Sequence, residues 1–169
     1  MNIEGNSPAY MQNLFGENIE DMSAEDKVFT IKCKPAHDYN MPTQAHPREW
    51  FDLSTAEDVH LDAGEFKLID LGVCIEVPEG YEAILVPRSS TFKKYNIIQT
   101  NGIGVIDNAY CGDEDWWKMP AFALDPTDIP AGTRIAQFRI QPQQMTPMCV
   151  RKVDKMDNKS RGGFGSTGN

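Results

Sequence analysis

The chain has 169 residues, of which 40% are hydrophobic and 24% charged, and its formal net charge is −9. That length suits one domain with a substantial core. The acidic balance argues against nucleic acid or an anionic membrane as the main partner, because phosphate-backbone binding needs Lys and Arg, and no apolar run approaches membrane-spanning length.

Residues 1–26 are polar and acidic. Tyr10, Met11, Leu14, Phe15, Ile19 and Met22 recur three to four apart, which fits one amphipathic helix or a disordered extension. No apolar segment of signal-peptide type precedes Lys27. Cys33, Cys74, Cys111 and Cys149 are widely spaced with no C-x-x-C pair, so a cysteine zinc site is not expected. The expected location is cytoplasmic, with reduced thiols.

From Lys27 onward the texture is β-rich. "KVFTIKC", "EDVHLD", "EFKLIDLGVCIEV", "YEAILV", "YNIIQT", "WKMPAFAL", "TRIAQFRI" and "MCVRKV" are short strand-like runs, separated by "DAGE", "PEGY", "TNG" and "PAGT". Many short strands between turn signals read as an all-β sandwich or barrel. In "TRIAQFRI", alternation places Ile135, Gln137 and Arg139 on one face and Ala136, Phe138 and Ile140 on the other. Apolar residues thin out from Lys152 to Asn169, giving a tail that is mobile or ordered by what it binds. The divisions are an extension (1–26), a β core (27–151) and a Gly-rich tail (152–169).

Four segments could carry chemistry. "EWFDL" sets Asp52 between Phe51 and Leu53, as a solvent-facing strand acid or as support for a hydrated Mg²⁺, which prefers oxygen ligands. "VPRSS" offers the planar fork of Arg88 and the hydroxyls of Ser89 and Ser90, a set suited to phosphate oxygens. In "NGIGVIDNAYCGDE", Asn101-Gly102 signals a hairpin turn, and Val105 and Ile106 read as buried strand. Asp107 then either opens a turn or serves as a general base, with Tyr110 as a flat surface nearby. The closing "RGGFGSTGN" combines flexible glycines with Arg161, Phe164, Ser166 and Thr167. It is a linker, or a segment whose N–H groups converge on an anion while Phe164 stacks on a base.

In this order, "EWFDL", "VPRSS", "GIGVIDNAYCGD", "RIAQF" and "RGGFGSTG" resemble the five motifs of the trimeric dUTPase family. The resemblance implies a distorted, jelly-roll-like β-barrel and a homotrimer. Its three sites would lie between subunits, each closed by a C-terminal arm acting as a lid. It implies hydrolysis of dUTP to dUMP and pyrophosphate with Mg²⁺, which limits uracil in DNA and supplies dUMP.

By position, Asp107 would activate the attacking water and Tyr110 would pack beneath the deoxyribose. Asn101 and the hairpin backbone at Gly104, Val105 and Ile106 would read uracil. Arg88, Ser89, Ser90 and Gln137 would hold phosphates. Phe164 would stack on the base, with Gly165, Ser166, Thr167 and either Lys159 or Arg161 on the phosphates. Asp52 would support Mg²⁺ through water.

The sequence departs from the family at Glu49-Trp50 and Ala109, and by the longer stretch "DEDWWKMP". One rival reading is a dCTP deaminase, alone or bifunctional, which shares the "RSS" element. Another is a dUTP-sensing protein that contacts a partner through Trp116-Trp117. Against the second stands the expectation that both rings pack on the protein.

Overall fold

The structure is a computed structural model that describes residues 30–144, 146–160 and 162. In chain order the strands are β1 (Cys33–Pro35), β2 (Phe51–Ser54), β3 (Val59–Leu61), β4 (Phe66–Asp70), β5 (Val73–Ile75) and β6 (Tyr81–Pro87), followed by β7 (Ile97–Gln99), β8 (Gly104–Asp107), β9 (Lys118–Ala123), β10 (Thr127–Ile129) and β11 (Arg134–Pro142). A 3-10 turn (Asp38–Asn40) and one short helix, α1 (Thr91–Tyr95), complete the described elements. All strand pairs are antiparallel. The fold is the jelly-roll-like all-β type expected from the sequence.

The largest sheet runs β2-β11-β6-β8, a second runs β4-β9-β7, and β1-β5 and β3-β10 form two short ribbons. Apolar residues on alternate positions enclose one core. Leu53, Ala83, Leu85, Ala136 and Phe138 line the inner face of the four-stranded sheet. Phe138 anchors them, stacked on Phe51 at 5.2 Å and edge-on to Trp117 at 5.1 Å. No described helix is long and apolar enough to cross a membrane.

Three details depart from the sequence reading. "MCVRKV" forms no strand: the last strand ends at Pro142, and Met148–Val153 are exposed. Those residues alternate no better than a tail, and no described strand edge receives them. Ile135 is fully buried rather than sharing the face of Gln137 and Arg139, because the register shifts between Arg134 and Ala136. A bulge there turns one extra side chain inward. Val105 is 62% exposed, not buried, since it points away from the core on the outer strand of its sheet. The amphipathic pattern of residues 1–26 lies outside the described residues.

"EFKLIDLGVCIEV" is broken into β4 and β5 by Gly72, whose φ is +63°. A Cβ there would sit 2.6 Å from the side chain of Asn40. Asn40 is fully buried and donates from Nδ2 to Ser54 Oγ and to the Thr55 carbonyl, both at 3.1 Å. Gly72 thus makes room for the amide that secures the end of β2.

Candidate active site

The pairing register sets the geometry of the outer face of the four-stranded sheet. Asp52, Gln137 and Val86 form one rung. Arg139, Ile84 and Val105 form the next, and Gln141, Glu82 and Asp107 the third. Asp52 and Asp107 therefore occupy diagonal corners of one face. Their rungs are four residues apart along β6, from Glu82 to Val86, or about 13 Å at the usual strand rise.

The Asp52 corner is already assembled. Arg88 Nε lies 2.7 Å from Asp52 Oδ1, and Arg134 Nη1 lies 3.2 Å from Oδ2. The Asp52 side chain is 16% exposed and that of Arg88 29%. In such a partly dry setting a charge-assisted pair fixes a guanidinium firmly. Gln137 Nε2 donates to the Pro87 carbonyl at 3.2 Å. Asp52, Arg88, Ser89, Gln137, Glu49 and Trp50 line a cleft of about 340 Å³. Ser90 follows as the cap residue of α1, and the backbone N–H of Arg88 is held by the Ile135 carbonyl at 3.1 Å. The sequence reading thus placed Arg88, Ser89, Ser90, Gln137 and Asp52 in one neighbourhood. It missed Arg134, whose place at the start of "RIAQF" was the available signal. Asp52 is an ion-paired corner residue rather than a solvent-facing acid.

The Asp107 corner is different. Asp107 is exposed at the end of β8. Its Oδ1 accepts the Ala109 N–H at 2.9 Å, so the turn-opening role is present, and its carbonyl accepts the Tyr110 N–H at 3.3 Å. One carboxylate oxygen is thereby positioned. Tyr110 donates its hydroxyl to the Trp116 carbonyl at 3.2 Å, which fixes its ring. Burial, with Asp115 next in effect, raises the Tyr110 pKa above its ordinary value, so the phenol stays neutral and a donor.

Gly102, at φ +67°, turns the chain between β7 and β8. Asn101 Oδ1 accepts from Gln99 Nε2 at 2.8 Å, which orients its amide. Gly104 packs so that a Cβ would meet Leu85 Cβ at 3.0 Å, while Val105 faces out and Ile106 packs on the core. The outer edge of β8 carries main-chain groups with no strand partner among the described residues.

Of the tail residues, Lys159 is described and exposed. Arg161, Phe164, Gly165, Ser166 and Thr167 lie outside the described residues. Trp117 is 1% exposed in the core, and Trp116 is half-buried with Lys34 Nζ 5.2 Å from its ring centroid. The two rings pack as expected rather than forming an open aromatic patch.

Comparison with known proteins matches these features to one family. The dUTPase family model matches residues 38–168. The chain belongs to the dUTPase family. It is 54% identical over 120 residues to the SPbeta prophage-derived deoxyuridine 5'-triphosphate nucleotidohydrolase of Bacillus subtilis (strain 168), covering 71% of this chain and 84% of that one. The fold is similar to that of the Staphylococcus bacteriophage 80alpha dUTPase with dUPNHPP, with TM-score 0.69, 24% identity, and coverage of 84% of this chain and 100% of that one. It is also similar to a mutant dUTPase from phage phi11 of S. aureus, described for its coordination of a structural Mg(II) ion, with TM-score 0.64, 21% identity, and coverage of 77% and 100%. The activity is accordingly that of a dUTP nucleotidohydrolase, and a deaminase is not favoured.

Proposed function

We propose that dUTP is hydrolysed at sites shared between copies of this chain. The observation that carries this is the diagonal split of the outer sheet face. The cation-rich corner and the Asp107 hairpin lie too far apart for one α-phosphate to reach both within a subunit. A head-to-tail contact brings one copy's Asp52 corner to the next copy's Asp107 corner, and such contacts close into rings. A homotrimer is the ring the family resemblance implies.

At each composite site, Asn101 and the free edge of β8 at Gly104, Val105 and Ile106 bind the uracil edge. A pocket with fixed donors and acceptors rejects cytosine, because mismatched polar groups would stay unpaired. Tyr110 forms a flat wall for the deoxyribose. Arg88, Ser89, Ser90 and Gln137 hold the phosphates. Asp107 accepts a proton from water as the water oxygen bonds to the α-phosphorus. The bond from that phosphorus to the bridging oxygen breaks, and pyrophosphate leaves with dUMP remaining. Arg161, Phe164, Gly165, Ser166 and Thr167, with Lys159, close over the nucleotide and exclude bulk water.

Mg²⁺ fits this site as a partner of the triphosphate. Among the described residues no three His, Cys, Asp or Glu side chains cluster as a metal cage, and each Asp52 oxygen is paired with a guanidinium. Mg²⁺ keeps several waters and takes phosphate oxygens readily, and a carboxylate oxygen has a second lone pair for a metal-bound water. When bound, the metal neutralises phosphate charge.

The test is complementation. Arg88→Ala and Asp107→Asn proteins are each inactive alone. Unfolded together and refolded as mixed rings, they regain about a quarter of wild-type pyrophosphate release from dUTP, since random head-to-tail pairing leaves that share of sites intact. No recovery, with mixed rings verified by mass, would sink the shared site. Parallel assays with dCTP, dTTP and UTP check that release is confined to dUTP.

A further inference from the structure

A second groove, of about 380 Å³, lies at the opposite end of β11 from the Arg134 ion pair. Its apolar lining is Ile31, Phe51, Pro78, Tyr81 and Ile140, and Arg48 and Arg139 also line it. It exists because pairing of β2 with β11 stops at Phe51 and Phe138. From Arg139 to Pro142, β11 pairs with β6 only, so its other edge has no strand partner among the described residues. An apolar groove beside an open strand edge suits an extended segment.

We infer that this groove seats the chain's own amino-terminal segment. Phe29 enters it, and the acidic stretch upstream lies across Arg48 and Arg139. Three observations converge. The described chain arrives at the groove itself, since Ile31 is part of the lining. Ile31 and Cys33 both pack against the core, and continuing that period-two alternation would give residue 29, a Phe, the same side. Charge favours it: residues 1–26 hold six acidic residues and no Lys or Arg, whereas the groove is lined by two arginines against one acid, Glu49, on a chain of net charge −9. Asp26 stands three residues before Phe29, about 10 Å if extended, which is within reach of the rim.

The groove also adjoins the nucleotide cleft. Glu49 lines both, and Arg139 lies 5.6 Å from the centroid of the Trp50 ring that walls the cleft. A seated segment therefore packs against the far side of that wall. This inference does not depend on the catalytic assignments.

The experiment uses the full chain with photoreactive p-benzoylphenylalanine, which extends the Phe ring by a benzoyl group, installed at position 29, with the fold checked by circular dichroism. Irradiation is expected to give a cross-link within one chain, mapped by mass spectrometry to peptides containing Arg48–Phe51, Pro78–Tyr81 or Arg139–Ile140. Adding Glu25→Lys and Asp26→Lys to this protein should lower the yield several-fold at low salt. Cross-links between chains would overturn the inference in favour of a second copy as occupant. Cross-links mapped to another surface, or none, would overturn it outright, and an unchanged yield in the Lys variants would remove the role of the arginines.

Discussion

At the Asp52 corner each carboxylate oxygen meets a guanidinium within the subunit, and Gln137 is tied to the Pro87 carbonyl. At the Asp107 corner the carboxylate holds one main-chain N–H, and Val105 beside it is open to solvent. On the proposed reading the Asp52 corner receives a highly charged triphosphate, and such groups need fixed direction before it arrives, so their cost is met during folding. On the same reading the Asp107 corner faces a neighbouring copy, and groups of that kind can stay exposed until assembly covers them. The difference teaches that exposure at a candidate site is not evidence against it when the sheet face is a contact surface.

The sharpest way to break the comparison is Asp107→Asn. It keeps the turn acceptor but removes the base, so kcat should fall about 10²–10⁴-fold while binding of a non-hydrolysable dUTP analogue persists, checked by titration calorimetry. Loss of binding instead would make Asp107 a structural residue. Val105→Glu should come next. A charge in the middle rung of the face should shift the protein toward monomers in sedimentation velocity, and lower activity about tenfold or more at low protein concentration. An unaltered assembly would remove that face from the contact.

Asp52→Asn should act more mildly and in two ways. Arg88 and Arg134 lose their shared counter-charge, which should cost about 1–3 kcal/mol of stability in urea melts. KM for dUTP should rise more than kcat falls, because the arginines are loosened but not lost.

The smallest effect belongs to a pair away from both corners. His60 on β3 lies 2.7 Å from Asp128 on β10, and that bond, followed by the attraction of the same carboxylate, raises its pKa above 6.5. The pair's stabilisation is complete below the unfolded value and fades as pH rises through the raised one. His60→Gln should therefore lower Tm at pH values below 6.5 and leave alkaline Tm unchanged.

Much of this was legible in the sequence because it is local. The turn at Asn101-Gly102, the strand carrying Gln137, and Arg88 with Ser89 and Ser90 just after β6 all follow from short-range pattern. Ile135 was not legible, since a bulge depends on the partner strand. Val105 was misread for a related reason: an apolar residue on an edge strand looks buried whether the core or another subunit covers it. The partnership of Asp52 with Arg134 joins residues 82 positions apart, and no spacing rule reaches that far. The ordered motifs pointed to the family, while the sheet register put Asp52 and Asp107 on opposite corners of one face.

Gly72 has a consequence for anyone diversifying this protein. Filling its missing Cβ would displace Asn40 from Ser54 and Thr55, and Ser54 ends the strand that carries Asp52. A substitution at a position with no part in recognition would thus be read out as altered substrate affinity. A mutational scan would score Gly72 alongside the catalytic residues, and only a binding assay paired with a folding assay would tell a strand anchor from a substrate contact.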